Sequence, residues 1–306
     1  MGVLLGDNHY GKSQIRLMKV DRDDGDGGRH GLHDLNVSVA LAGDMAATHL
    51  VGDNAVVLPT DTMKNTVYAF AREHGVGEVE DFALLLARHF VDSQPSLTWA
   101  RVRIEEHPWD RTSDSAAHSF VQSGPERRTV SVTYDGQGAW VVPGITDLVL
   151  LNSTGSEFAG FLTDRYTTLA EATDRILCTS VTAQWRHTGG HTGRHTGGHT
   201  GGQVSTGVDW AKSYDTARGA LTEAFADTYS RSLQQTLYAM GERLIGSCDT
   251  VAEVRLSLPN RHHFLVDLSP FGLDNPGQVF HVDDRPYGLI EGTVLADDAP
   301  AAPEAW

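Results

Sequence analysis

The stretch Ser257–Asp267, SLPNRHHFLVD, sets an amide, a guanidinium and two imidazoles in succession at Asn260, Arg261, His262 and His263. Imidazoles exchange protons near neutral pH, so these residue types could carry proton chemistry. Val254, Leu256 and Leu258 alternate before the run, and Phe264, Val266 and Leu268 alternate after it. Two strands therefore flank a polar corner opened by the turn-former Pro259. Loops held by a rigid sheet are where chemistry is usually carried. A hairpin corner with exposed histidines satisfies the same letters, and the segment alone does not choose between the two.

A second run, HTGGHTGRHTGGHTGG, repeats histidine every four residues at His187, His191, His195 and His199. On a helix that spacing would align four metal ligands, and a His-rich tract can bind a transition metal. Seven of the fifteen residues from Thr188 to Gly202 are glycine, which opposes a helix in isolation. The composition favours a floppy surface excursion. Elsewhere there is no GxGxxG turn after a strand, no HExxH pair and no cysteine-rich metal set, so no cofactor fingerprint stands out.

Periodicity gives the elements that must position these groups. Ile15, Leu17 and Val20 suggest a strand after a bend at Gly11, and Leu35, Val37, Val39 and Leu41 give its hairpin partner. The Asp- and Gly-rich stretch between them reads as a tight loop. Pro59 halts an extended run, and Thr60 and Asp61 sit where a helix N-cap belongs. Met63, Val67 and Phe70 mark one helix face; Val79, Phe82, Leu86 and Phe90 mark a second. Strands follow around residues 97–106 and 129–134. The order then recurs: strands at 140–151 and 175–185, a helix marked by Tyr214, Ala217, Leu221 and Phe225, and a helix marked by Leu233, Leu237, Met240 and Leu244 with Ser230 as its cap. Strands at 254–258, 264–268 and 289–294 end the series. Each half reads ββααββ, an α+β pattern of antiparallel sheets covered by helices on one face. The expected division is 1–137, 138–295 with the histidine tract at 187–202 inserted, and a disordered or loosely docked tail over 296–306.

Bulk composition narrows the partners. The chain has 306 residues, 40% of them hydrophobic, enough for one large or two small cores. Its 24 Lys and Arg against 40 Asp and Glu give a net charge of −16, which disfavours nucleic acid and requires local cations at any anion site. No apolar run is long enough to span a membrane, and the first residues lack the pattern of a signal peptide. Cys178 and Cys248 have no CxxC spacing, so reduced thiols in a cytoplasm are expected.

Residues Leu148 to Arg175 follow the pattern L-x-L-L-x-S-T-x-S-x-F-x-x-F-x-x-x-x-Y-x-x-L-x-x-x-x-x-R, with Phe158, Phe161, Tyr166, Leu169 and Arg175 at its fixed positions. This resembles the signature of the urate oxidase (uricase) family. NHYGK, TDTMKNTVYAF, SLQQTLYAM, SLPNRHHFLVDL and DRPYGLIE are also similar to uricase segments, in the family's order and across nearly the whole chain. Local departures are Asn152, where the family usually has Lys, and Pro59, where it usually has a small residue. The resemblance implies two tandem tunnelling-fold (T-fold) modules, a homotetramer whose sheets close a tunnel, and active sites between subunits.

It also implies roles. Arg175 would bind the urate anion through its planar fork, and Gln234 would read the opposite edge with one donor and one acceptor. Leu233 would contribute its backbone and Phe158 a stacking face. Lys12 and Thr60 would form a catalytic dyad with His262 beside it, and Asn260 would hold dioxygen or water above the ring. Thr60 and Asp61 at a helix start would offer backbone N–H groups to an anion. A lysine is ordinarily too strongly protonated to act as a base, so burial or neighbouring charge would have to destabilise its cation. The implied reaction converts urate, O₂ and water to 5-hydroxyisourate and hydrogen peroxide without metal or flavin. A non-catalytic purine- or pterin-binding protein on the same scaffold is the alternative, and it would need only Phe158, Arg175 and Gln234. A metal-handling protein built on the histidine tract would explain sixteen residues and leave the rest unused.

Overall fold

The computed structural model describes residues 2–22, 28–188 and 208–306. By internal contacts the described residues of Met1–Gly144, Arg186–Lys212 and Pro300–Trp306 form one compact unit, and those of Ile145–Trp185 and Ser213–Ala299 form another. Both are mixed α and β, with antiparallel strand pairing throughout the named ladders.

The first unit begins with β1 (Tyr10–Asp21) and β2 (Gly31–Gly43), followed by helices α1 (Ala46–Val51), α2 (Thr60–Glu73) and α3 (Val79–Ser93). Strands β3 (Leu97–His107), β4 (Trp109–Arg111), β5 (Phe120–Gln122) and β6 (Arg127–Tyr134) follow. The sheet order is β1-β2-β3-β6, with β4 and β5 as a separate ribbon. Alternation carries Leu35, Val37, Val39 and Leu41 of β2 onto one buried face, against Met63 and Val67 of α2 and Phe82, Leu86 and Phe90 of α3. Each such side chain taken fully out of water contributes about 1.5–3 kcal/mol before entropy is set against it. Short α1 and the β4–β5 ribbon escape the sequence because neither spans enough residues to show a period. Ala305 is buried, Arg101 donates to the Glu304 carbonyl and Arg186 to the Pro300 carbonyl, so the tail is docked on this unit.

The second unit holds β7 (Ala139–Asn152) from Ile145 on, β8 (Leu177–His187) up to Trp185, α4 (Trp210–Asp227) from Ser213 on, and the whole of α5 (Leu233–Ser247), β9 (Val251–Pro259), β10 (His262–Leu265), β11 (Phe280–Asp283) and β12 (Leu289–Leu295). Here the sheet order is β7-β8-β9-β12. Helix α5 lies close on its sheet: a Cβ at Gly241 would come within 2.5 Å of Val294 on β12. Leu237, Met240 and Leu244 of α5 share a core with Val254, Leu256 and Leu258 of β9.

Four local expectations change. Gly11 lies inside β1 rather than at a bend before it. Pro59, not Thr60 or Asp61, is the N-cap of α2, and Thr60 is its first helical residue. Ser232, not Ser230, caps α5 by accepting from the Gln235 N–H, because Ser230 is drawn into a bridge with Ser156. The strand expected over 264–268 runs instead over His262–Leu265 and pairs with β11, away from the main ladder. Of the histidine tract, His187 ends β8 and is buried, with its ring 5.6 Å from that of Trp210. His191, His195 and His199 lie outside the described residues.

At the start of α3, Glu80 is 1% exposed and takes two bonds from the Arg128 guanidinium, which also reaches Glu78 at 2.7 Å. Burial outweighs the pull of Arg128 and pushes the Glu80 carboxyl up to about 7 from an ordinary 4.5. Between those values the folded state holds a proton that the unfolded state has released. Stability is therefore greatest below about 4.5 and declines as the pH rises towards about 7. Urea titrations of wild type and Glu80→Gln across this range should show the decline in wild type and a flatter profile in the variant. Parallel profiles would assign the slope to other groups.

Candidate functional site

Lys12, Thr60 and Asp61 belong to the first unit, and β1 is built to bring them together. Lys12 pairs with Val39 and Ile15 pairs with Val37, so three steps on β1 oppose two on β2. This β-bulge, with Gln14 at φ 60°, changes the phase of side-chain alternation. Lys12 consequently faces the same side as Val39, Ile15 and the helices, although an unbroken strand would put Lys12 and Ile15 on opposite faces. Ser38 Oγ accepts from the Gln14 N–H at 3.1 Å and steadies the bulge. Gly11 is needed beside it because a Cβ there would lie 1.9 Å from the Val39 carbonyl oxygen.

The same phase change turns Tyr10 inward. Its hydroxyl donates to the Leu58 carbonyl at 3.0 Å and accepts the Leu58 N–H at 2.9 Å. One phenol thus ties β1, two residues before Lys12, to the chain two residues before Thr60. Pro59 supplies φ −57° and caps α2 without a side-chain hydrogen bond; its carbonyl accepts the Thr62 N–H at 2.9 Å, so the N–H groups of Thr60 and Asp61 are the ones a helix start leaves without an intrahelical partner. Asp61 is held below its usual carboxylate range first by its hydrogen bond from Lys64 and, more weakly, by the positive charge of Lys12. The Lys12 charge therefore reaches the start of α2.

Phe158, Arg175, Leu233, Gln234, Asn260 and His262 belong to the second unit. Phe158 and Arg175 lie near opposite ends of a loop closed at its stem. Phe158 and Ala172 exchange two backbone bonds, and Arg175 N–H reaches the Ser156 carbonyl at 2.8 Å. The Asp174 carboxylate is spent on Thr154 and the Gly155 N–H. The Arg175 guanidinium lies 5.3 Å from the Phe158 ring centroid, and Phe161 stacks on Phe158 at 4.9 Å. Among the described residues no carboxylate pairs with Arg175; its Nε bonds only to Ser156 Oγ, at 3.3 Å. Burial lowers its affinity for a proton, yet guanidinium stays charged at any working pH. A half-buried cation on an aromatic face with its terminal nitrogens uncommitted suits a flat anion.

Leu233 and Gln234 open α5; Leu233 is buried and Gln234 exposed. They are joined to the Arg175 loop because Ser230 exchanges backbone bonds with Gly155 and Glu157, on either side of Ser156. Asn260 bridges Thr179 on β8, four residues beyond Arg175, and Thr179 Oγ1 donates to the Pro259 carbonyl at 2.9 Å. His262 stands two residues further, its ring stacked on Phe264. Each residue of this unit's set is thus linked to another by one ladder or loop closure. Tyr10 and Ser156 were not singled out by sequence, and Ser230 only as a helix cap. Tyr10 and Ser156 nevertheless sit inside NHYGK and the long signature, while Ser230 lies outside any quoted segment. Asn152, where the family usually carries Lys, donates to the Phe225 carbonyl at 2.9 Å and so has a structural use.

The family model described as Uricase matches residues 8–133 and 141–291. A uricase of Arthrobacter globiformis is 45% identical over 304 residues, covering 99% of this chain and 94% of the relative. One from Oryctolagus cuniculus is 33% identical, covering 93% and 92%. The crystal structure of uricase from Arthrobacter globiformis superposes with a TM-score of 0.88 at 45% identity, covering 99% of this chain and 98% of that one. With one family model over both units and relatives matched end to end, the chain belongs to the uricase family.

Proposed function

We propose that this chain is an enzyme that oxidises urate with O₂ and water to 5-hydroxyisourate and hydrogen peroxide, without a metal or flavin. The observation that carries this is Arg175: a half-buried guanidinium over Phe158, with no carboxylate partner among the described residues, in a chain of the uricase family. Urate is planar and anionic near neutral pH. Arg175 would fork onto one edge, Phe158 would stack on the ring, and Gln234 with the Leu233 backbone would read the opposite edge. Lys12 and Thr60, with His262, would take protons from the substrate, making it electron-rich enough to give two electrons to O₂. Asn260 would hold O₂ or water above the plane. The chain then contributes orientation and fixed charge rather than a redox group. A non-catalytic binding protein is not favoured, since Lys12, Thr60, Asn260 and His262 are all present and the relatives carry the name uricase.

The test follows loss of urate's ultraviolet absorbance together with O₂ uptake in chelator-treated buffer. Turnover should persist after exhaustive chelation. Arg175→Ala should chiefly raise KM, because its fork holds ground and transition state alike, and Lys12→Ala should chiefly lower kcat. Activity lost on chelation and restored by copper or iron would overturn the cofactor-free reaction. A Lys12→Ala enzyme with wild-type kcat would remove Lys12 from the dyad.

The assembly belongs to the same reading: two tandem T-fold modules per chain, and a homotetramer closing a tunnel, with each site shared between subunits. Two observations support it. The proposed groups divide between the units, Lys12, Thr60 and Asp61 in one and the other six in the second. Phe264, Leu265, Phe271, Leu273, Val282 and Leu289 are all exposed on the second unit, apolar side chains that a partner subunit would cover. Lys12→Ala and Arg175→Ala chains, co-refolded in equal amounts and tagged to confirm mixing, should regain about a quarter of wild-type activity, since each of two independent contributors is intact half the time. Mixed tetramers no more active than the single variants would place the whole site in one chain.

A further inference from the structure

Ser156, Ser230 and Thr236, in the second unit, are each 0% exposed and take no part in the proposed chemistry. Buried hydroxyls cost stability unless bonded, and these are bonded in sequence. Arg175 donates to Ser156 twice, from its backbone N–H to the carbonyl at 2.8 Å and from Nε to Oγ at 3.3 Å. The backbone on both sides of Ser156 is bonded to Ser230, Glu157 N–H to the Ser230 carbonyl at 2.8 Å and Ser230 N–H to the Gly155 carbonyl at 3.0 Å. Thr236 Oγ1 then donates to Ser230 Oγ at 2.8 Å, and Ser230 Oγ donates to the Ser232 carbonyl at 3.1 Å. Ser232 is the N-cap of α5, immediately before Leu233 and Gln234.

We infer that Ser156, Ser230 and Thr236 are positioning residues that fix the separation and orientation of Arg175 and the Gln234 end of α5, and so set the width of the urate cradle between its two edge-reading groups. This rests on the substrate roles of Arg175 and Gln234 given above. A flexible guanidinium and an exposed amide at a helix start would otherwise each sample several rotamers, and a planar ligand bonded on both edges loses affinity when either wanders. The Ser156 hydroxyl acts on the first by engaging Nε, which leaves the two terminal nitrogens as the free fork. The Ser230–Thr236 bond acts on the second by locking the first turn of α5 to the loop. None of the three reaches the reacting atoms, so their loss should fall on binding and leave the chemical step alone.

The experiment uses the full-length protein and urate kinetics of Ser156→Ala, Thr236→Val, Arg175→Ala and the double variant Ser156→Ala/Arg175→Ala. Ser156→Ala and Thr236→Val should each raise KM by about tenfold, the scale of one lost bond to a charged or buried group, with kcat within about twofold of wild type. Ser156→Ala should add nothing to KM in the Arg175→Ala background, because its effect passes through that side chain. A general loss of packing would add equally in both backgrounds and lower the melting temperature together with kcat; that result overturns the inference. Unchanged KM in Ser156→Ala, alongside a raised KM in Arg175→Ala, also overturns it while leaving the role of Arg175 intact. Unchanged KM in Arg175→Ala itself refutes the underlying substrate assignment. Should Ser156→Ala not fold, Thr236→Val against Gln234→Ala supplies the same cycle from the other end.

Discussion

The arrangement of the first unit depends on one constraint, the phase of side-chain alternation along β1. A strand sends successive side chains to opposite faces. Ile15 and Leu17 must face the helices to complete the core, and an unbroken strand would then expose Tyr10 and Lys12 on the other side. The bulge between Lys12 and Ile15 removes that conflict by adding one residue. The core keeps its apolar face, Lys12 joins it at the edge, and Tyr10 gains the reach to hold Leu58 by both backbone groups. A position for Thr60 follows from that hold.

The second unit solves a different problem, how to keep a loop of more than twenty residues rigid enough to present a cation. Long loops without their own secondary structure ordinarily gain mobility. Here the stem is closed by Asp174 on Thr154 and Gly155, by Ser156 on Arg175, and by Phe158 on Ala172. Within it the Arg175 guanidinium bonds through Nε to Ser156 Oγ, and no carboxylate among the described residues pairs with it. The protein as a whole carries a net charge of −16, and long-range repulsion of an anion is screened over roughly 10 Å in ordinary salt. A local guanidinium without a carboxylate partner among the described residues would outweigh distant acidic residues at contact range in the proposed site.

Burial is used in two opposed ways. At Glu80 and Arg128 it encloses a carboxyl and a guanidinium bonded to one another, and raises the carboxyl's pKa in doing so. Buried pairs of this kind add little net stability but are costly to break from one side. At Arg175 burial is partial, and no carboxylate among the described residues pairs with it. The contrast lies in the partners rather than in the residue type, since both are arginines close to sheet strands.

The sequence by itself determined the element order, the apolar faces of α2, α3 and α5, and, through the segments from NHYGK to DRPYGLIE, the family. These are local properties: periods of two and 3.6 and short runs of adjacent letters survive without knowledge of what they touch. The placement of the helix starts was only nearly legible, because Pro59 and Ser232 were one or two positions from the expected caps, and capping depends on which neighbour's N–H is in reach. Tertiary structure alone decided that Lys12 faces the helices, since a bulge is a mismatch between two strands and cannot be read from either one. It alone decided that Ser230 would bridge Ser156 instead of capping α5, and that β10 would pair with β11. Each of these turns on a hydrogen bond between residues distant in the chain, where a different partner with similar local preference would have served the sequence equally well.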